Sequence, residues 1–130
     1  METVFTKIVK GIIPAYKVAE DDRFLAFLDI NPLTEGHTLV IPKQETDYLF
    51  DLDVDTFADL QRFAYKVAGG LKPATACKRI GVCVIGFEVP HAHIHLIPIN
   101  NMAEMNFANP KLKLAPEKME EIAEKIRKEL

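Results

Sequence analysis

Residues 90–98 read Pro-His-Ala-His-Ile-His-Leu-Ile-Pro, and this stretch decides how the chain of 130 residues is interpreted. Three of the four histidines of the chain, His91, His93 and His95, stand here at alternate positions. Side chains alternate between the two faces of a β-strand, so a strand here places three imidazoles on one face and apolar residues on the other. The flanking prolines cannot donate to a ladder and fit the two ends of such a strand. The cluster therefore indicates chemistry rather than packing.

Composition favours one globular domain over residues 1–130. Hydrophobic residues make up 48% and charged residues 27%, and the net charge of −3 gives no general attraction to nucleic acid or to a membrane. Cys77 and Cys83 have no metal-type spacing. The first residues lack a basic region followed by an apolar stretch, and no apolar run reaches membrane-spanning length. We therefore expect a cytoplasmic protein with neither nucleic acid nor membrane as a partner.

Hydrophobic periodicity predicts an α+β fold, with an antiparallel sheet of about five strands and helices packed against it. The predicted strands are residues 15–19, 23–29, 37–42, 79–85 and 90–98, and the fourth is apolar enough to lie centrally. A helix over 4–13 is expected to end at Gly11, and one over 53–71 to stop at Gly69-Gly70 and Pro73. Residues 99–113 have no clear period and predict a loop, and a C-terminal helix begins at Pro116.

Three interpretations of the histidine strand remain open on spacing alone. The imidazoles could be half-buried residues with backbone partners. They could bind zinc, with His37 as a fourth nitrogen ligand, although the motif contains no Asp, Glu or Cys to complete a usual ligand set. Or a central histidine could attack phosphorus and form a phosphoramidate. In that case one ring nitrogen must be free, so a carbonyl or carboxylate must accept the proton of the other.

The motif His91-Ala-His93-Ile-His95-Leu-Ile97 resembles the His-φ-His-φ-His-φ-φ signature of the histidine triad (HIT) family of nucleotide hydrolases and transferases. The resemblance continues through separated motifs, which are Phe5–Pro14, Asp21–Pro32 and Gly36–Lys43. It covers about residues 3–98 and is strongest to the small hydrolases that cleave adenosine 5′-phosphoramidates and aminoacyl-adenylates. It implies a HIT-like fold with two main helices, extended by the loop and helix of residues 99–130.

Carried over residue by residue, the resemblance implies that His93 is the nucleophile and that His95 contacts the phosphate. His91 and His37 would support the site, and the Asp29 carboxylate would accept hydrogen bonds from the ribose hydroxyls. The residues implied for the base pocket, each of which could instead be plain core, are Val4, Phe5, Ile8, Phe27, Leu28 and Ile30. The resemblance further implies a purine nucleotide substrate, no metal or other cofactor, and a homodimer in which two five-stranded sheets join.

Two positions depart from the family pattern. Residues 3–6 read Thr-Val-Phe-Thr where many relatives carry Cys-x-x-Cys, so a structural zinc site is not expected there. Phe87 and Glu88 stand where relatives carry polar phosphate contacts, and an ionised Glu88 would repel phosphate. Residues 100–109, from this chain or a partner, could supply the missing donors. A nucleotide-binding module with little turnover, a dinucleoside polyphosphate hydrolase and a zinc-dependent hydrolase therefore remain alternatives.

Overall fold

A five-stranded antiparallel sheet organises the computed structural model, which describes residues 2–130. The strands are β1 (Lys17–Glu20), β2 (Phe24–Leu28), β3 (Thr38–Pro42), β4 (Arg79–Cys83) and β5 (Ile94–Ile99). Their order across the sheet is β1-β2-β3-β5-β4, and every neighbouring pair is antiparallel. The predicted α+β class and strand number are confirmed.

Both faces of the sheet are covered, and the period of two assigns each strand residue to a face. On β2, Phe24 and Ala26 pack into a core beneath the two long helices, whereas Leu25 and Phe27 pack into a smaller core on the opposite face. Ile94 of β5 lies in the first core, so the histidines that alternate with it face the second. The histidine side chains of the 91–95 motif therefore share a face of the sheet with the smaller core.

The first helix, α1 (Val4–Val9), covers that smaller core with Phe5 and Ile8. The Thr3 hydroxyl caps it by accepting a hydrogen bond from the Thr6 amide at 3.0 Å. The helix stops at Val9, and Gly11, which was predicted to end it, adopts a left-handed φ of 77°. From there the chain turns toward β1.

The second helix, α2 (Val54–Thr75), contradicts the predicted stop at Gly69-Gly70 and Pro73. Its N-cap is Asp53, the first residue of the predicted helix, but it ends at Ala76 in the left-handed region. Pro73 removes only the bond to the Gly69 carbonyl. Gly70 lies against Leu130, where a Cβ would approach within 2.4 Å of the leucine side chain. Packing between helices thus outweighs the roughly 1 kcal/mol helix penalty of a glycine.

Two strand predictions are corrected. β4 lies at the edge of the sheet rather than centrally, and its Val82 is 59% exposed. β5 begins at Ile94, so His91 and His93 precede the strand, because the His93 ring bonds back to the His91 carbonyl. Pro98 lies inside β5 and not at its end. It is tolerated there because β3 pairs with β5 only as far as Leu96.

The chain after the sheet contains a short 3₁₀ turn, Met102–Met105, and α3 (Pro116–Lys128), which begins at the predicted proline. The buried residues of α3 join the core beneath the sheet; they are Met119, Ile122, Ala123 and Ile126. Across residues 2–130, none of the helices combines the length and the apolar character needed to cross a membrane.

Candidate active site

His93 is held with one ring nitrogen available for attack. Its Nδ1 lies 2.7 Å from the His91 carbonyl oxygen, and its ring meets the Phe5 ring edge-on with centroids 5.1 Å apart. A carbonyl only accepts, so Nδ1 carries the proton and donates it. The lone pair of the neutral ring is therefore on Nε2. This is the arrangement that the chemical argument from sequence required of a nucleophile.

His91 is fully buried and uses both ring nitrogens to hold the main chain in place. Nε2 donates to the Pro42 carbonyl at 2.8 Å, and Nδ1 therefore accepts from the Thr3 hydroxyl at 2.8 Å. Burial lowers the pKa of His91, against the opposing effect of the Pro42 carbonyl. Because its carbonyl binds His93, the fixed position of His91 also fixes the His93 ring.

His37 and His95 form a hydrogen-bonded pair whose proton positions follow from one backbone amide. The Leu33 N–H donates to His37 Nδ1 at 3.0 Å, so the His37 proton is on Nε2. His37 Nε2 donates in turn to His95 Nδ1 at 2.9 Å. The neutral His95 ring must then carry its own proton on Nε2. His95 therefore offers an N–H donor beside the free nitrogen of His93, whose ring centroid is 4.9 Å away.

Burial keeps this pair neutral. It lowers the pKa of His37 to about 3 and that of His95 to about 4, with smaller contributions from neighbouring imidazoles. Both side chains are less than 10% exposed. At neutral pH this pair thus presents an N–H dipole rather than an imidazolium charge to a ligand.

Asp29 follows β2 and lies beside the histidine pair. Its amide donates to the His37 carbonyl at 2.9 Å, and its Oδ1 accepts from the Asn31 amide at 2.8 Å. Oδ2 lies 3.6 Å from His37 Nε2. Burial raises the pKa of Asp29, and the Asn31 amide opposes that rise. One carboxylate oxygen remains free to accept hydrogen bonds.

A cavity of about 240 Å³ opens between α1, β2 and the two histidines nearest to it, His93 and His95. Its lining includes Asp29 and every residue that the family resemblance implies for the base pocket. The base-pocket residues are Val4, Phe5, Ile8, Phe27, Leu28 and Ile30. The side chain of Leu28 packs in the core beneath the helices, so alternation leaves its main chain toward the cavity. Ile30 is 69% exposed and stands at the rim.

Phe87 and Glu88, which replace the polar phosphate contacts of relatives, differ in their surroundings. Glu88 lines the cavity, and its charge contributes to the raised pKa of Asp29, after burial. Phe87 is 93% exposed and is not among the lining residues. The acidic side chain therefore faces the site, and the aromatic one faces solvent.

Sequence reasoning missed several contributors to the site. The Leu33 amide and the Thr3 hydroxyl carry no motif of their own, although Thr3 could have been recognised as a helix N-cap. Phe107 also went unnoticed, and its ring lies edge-on to His95 with centroids 5.0 Å apart. It is the only aromatic residue in the predicted loop 99–113, which is the signal that could have drawn attention to it.

The sequence profile of the HIT domain family matches residues 10–102. This chain belongs to the HIT family. The HIT chain is 36% identical over 129 residues to adenosine 5′-monophosphoramidase from Schizosaccharomyces pombe, covering 97% of this chain and 96% of that protein. A solved structure of a HIT-like protein from Bartonella henselae, described as involved in cell-cycle regulation and with an unknown ligand, has a TM-score of 0.85 at 34% identity. The match covers 99% of this chain and 97% of that one.

A third similar structure, a zinc-bound histidine triad family protein from Mycobacterium smegmatis, has a TM-score of 0.83 at 31% identity, covering 99% and 93% of the two chains. In the present HIT chain, Asp29, His37 and His95 offer ligand atoms within 4.8 Å of one another. These atoms do not fit a cation, because the Leu33 amide fixes the His37 proton on the nitrogen that would have to coordinate it. The site as built is arranged around hydrogen bonds.

Proposed function

We propose that this HIT protein is a nucleotide phosphoramidase that hydrolyses a nucleoside 5′-monophosphoryl substrate, of the adenosine 5′-phosphoramidate type, through a nucleotidyl-histidine intermediate on His93. The observation that carries the proposal is the bond from His93 Nδ1 to the His91 carbonyl, which leaves Nε2 free beside the pocket. The activity of the similar S. pombe protein supports the same reaction class.

The reaction has two displacements at phosphorus. His93 Nε2 forms a P–N bond as the bond to the leaving amine breaks, and the amine takes up a proton from solvent as it departs. Water then attacks and gives up a proton to solvent, the P–N bond to His93 breaks, and AMP is released. The His95 Nε2–H donates to a phosphate oxygen and stabilises the charge that develops there. No step needs His95 to be charged, in agreement with its pKa of about 4.

The remaining residues act through position. His91 supplies the carbonyl that orients the nucleophile, and His37 orients His95. The free carboxylate oxygen of Asp29 accepts hydrogen bonds from the ribose hydroxyls. The base enters the apolar cavity, with Phe5 and Phe27 as its largest buried aromatic surfaces. A cavity of this composition suits a purine ring.

A homodimer is part of the proposal. The edge strand β4 leaves Val82 unpaired on its outer side, and the following residues Val84 and Ile85 are also exposed. On α2, Val54 and Tyr65 are 80% and 82% exposed. Pairing of two β4 strands would cover this apolar edge. Light scattering should give twice the chain mass, and a monomer at 100 µM would refute this element. Cytoplasmic location also stays a prediction.

Mass spectrometry of untagged protein after brief incubation with adenosine 5′-phosphoramidate tests the chemistry. The wild type should carry an acid-labile AMP adduct and release AMP. His93→Ala should form no adduct and lose activity by roughly three orders of magnitude or more, as when other enzymatic nucleophiles are removed. Phe87→Leu, at an exposed position outside the cavity lining, is the matched control and should behave as wild type.

Two other results would redirect the assignment. Nucleotide binding with neither adduct nor AMP release at any time would indicate a binding module, an alternative suggested by Phe87 and Glu88 standing where relatives carry polar phosphate contacts. Faster cleavage of a dinucleoside polyphosphate than of the phosphoramidate would place the protein with the hydrolases of those substrates.

A further inference from the structure

Phe107 packs against the His37–His95 pair. Its ring stands edge-on to His95, with centroids 5.0 Å apart and planes at 73°, and edge-on to His37 at 6.2 Å and 76°. Both imidazoles are buried, whereas residues on either side of Phe107 are exposed. The phenyl ring therefore contributes to the cover that separates this pair from solvent.

The backbone around Phe107 is fixed by its own hydrogen bonds. The Ala108 and Asn109 amides bond to Asn106, through the side-chain Oδ1 at 2.9 Å and the carbonyl at 3.0 Å. Asn109 Nδ2 donates to the Ala103 carbonyl at 2.8 Å. Lys111 Nζ donates to the Phe107 carbonyl at 2.5 Å. A turn with this many internal bonds presents the ring in one position.

Two further contacts attach the turn to the rest of the molecule. The Leu112 amide donates to the Pro32 carbonyl at 2.9 Å, which ties the segment to the loop after Asp29. Met105 lies against β4, where a Cβ on Gly81 would approach its Sδ within 2.5 Å. The loop that contains Pro32 also contains Leu33, whose amide determines which nitrogen of His37 carries the proton. The segment that covers the histidine pair is therefore hydrogen-bonded to the loop that sets its tautomers.

We propose that Phe107 is a positioning residue of the active site: it excludes water from the His37–His95 pair and thereby keeps the His95 Nε2–H directed at the substrate phosphate. The role in catalysis rests on the proposed function, but exclusion of water can be measured without substrate. The residue belongs to this chain's own segment 102–112, and its ring is an apolar contact of the histidine pair.

The electrostatic surroundings explain why the cover matters. The charged or titratable groups facing His37 and His95 are His93, Asp29 and, from the Phe107 turn, Lys111. Burial is the largest cause of the low pKa of both rings, and the Lys111 ammonium acts on His37 in the same direction. Removing the ring admits water, so both pKa values should rise. A protonated His37 could no longer accept the Leu33 N–H, and the proton order would be lost.

The test uses Phe107→Ala, Phe107→Leu and, as a control from the same segment, Met102→Ala, whose side chain is 91% exposed. Histidine pKa values are read by NMR, and kcat and KM for adenosine 5′-phosphoramidate are measured from pH 5 to pH 8. In Phe107→Ala we expect the pKa of His95 to rise by at least one unit. The acid limb of kcat should move with it, so kcat at pH 5 should fall at least about twofold, while kcat at pH 8 stays near wild type and KM changes less than threefold. Phe107→Leu, which keeps an apolar cover, and Met102→Ala should remain near wild type.

Unchanged histidine pKa values and an unchanged pH profile in folded Phe107→Ala would overturn the inference. So would a parallel loss of kcat at every pH with no movement of the acid limb, since that would indicate a purely structural role. If Phe107→Ala does not fold, Phe107→Gln replaces it with the same expected direction. A wild type that releases no AMP would refute the proposed function instead, and the NMR titration would still decide the role of Phe107.

Discussion

Acidification should destabilise this protein well before its carboxylates are protonated. The folded state holds His37 and His95 neutral, with pKa values of about 3 and about 4, whereas an unfolded chain binds their protons at about 6.5. The unfolded state therefore binds more protons below pH 6.5, so the free energy of unfolding falls as the pH falls. The stabilisation is complete above pH 6.5 and is lost progressively toward pH 4 and then pH 3.

The magnitude follows from the two pKa differences. Each imidazole has an unfolded pKa of 6.5 and a folded pKa of about 3 or 4. At pH 5 it therefore lowers the free energy of unfolding by about 2 kcal/mol relative to pH 7.5. The two rings together cost about 4 kcal/mol, with a slope of about 2.7 kcal/mol per pH unit near pH 5. Burial lowers the pKa of His91 and adds to this loss, whereas burial raises the pKa of Asp29 and opposes it at the acid end.

Urea unfolding followed by circular dichroism, at constant ionic strength from pH 7.5 to pH 5, measures the effect directly. The variant His95→Gln removes one of the two groups and leaves an acceptor for the His37 Nε2–H, so its slope near pH 5 should correspond to about one proton rather than two. A fall below 1 kcal/mol across this range, or an equal slope in His95→Gln, would refute the reasoning about buried neutral imidazoles.

Two further predictions concern residues around the triad. Thr3→Val removes the hydroxyl that caps α1 and donates to buried His91 Nδ1, so the free energy of unfolding should fall by about 2 kcal/mol, measured by urea unfolding. Glu88→Gln removes a carboxylate from the cavity lining, so calorimetry at low salt should find AMP bound about two- to fivefold more tightly than by the wild type.

Each of these has its own control. Thr3→Ser keeps the hydroxyl and should retain most of the stability; an equal loss in both variants would mean that the methyl group, and not the hydroxyl, matters. For Glu88→Gln the gain should fade in 0.5 M salt, since exposed charges are screened. A gain that is insensitive to salt would contradict the electrostatic explanation.

Much of the fold could be predicted because both faces of the central strands are buried. That burial makes β2 and β3 short, continuous apolar runs bounded by turn residues, and alternation in residues 91–96 correctly separated histidines from core residues. The site residues were predicted by motif. The structure brings Asp29 and the base-pocket residues to the same cavity as His93 and His95, and His37 lies behind His95 and is hydrogen-bonded to it.

The remaining features depend on contacts that local sequence does not encode. α2 continues through Gly70 because Leu130, sixty residues away, packs against it. β4 is as apolar as a central strand, yet β5 inserts between it and β3 and leaves it at the edge. The start of β5 is displaced by a side-chain bond from His93 to the main chain. The first two cases show tertiary contact overriding a local preference, and the third is a local side-chain bond that the alternating pattern does not reveal.

The two groups that place the protons in the site are both main-chain groups, the His91 carbonyl and the Leu33 amide. A replacement of the side chain at either position leaves these groups chemically intact, and only proline at residue 33 would delete the amide itself. The loops around the pocket can therefore accumulate substitutions that alter which substrates fit, while the tautomers of the reacting imidazoles are inherited unchanged. Substitutions in these loops can therefore change substrate specificity without changing the positions of the protons on the histidines.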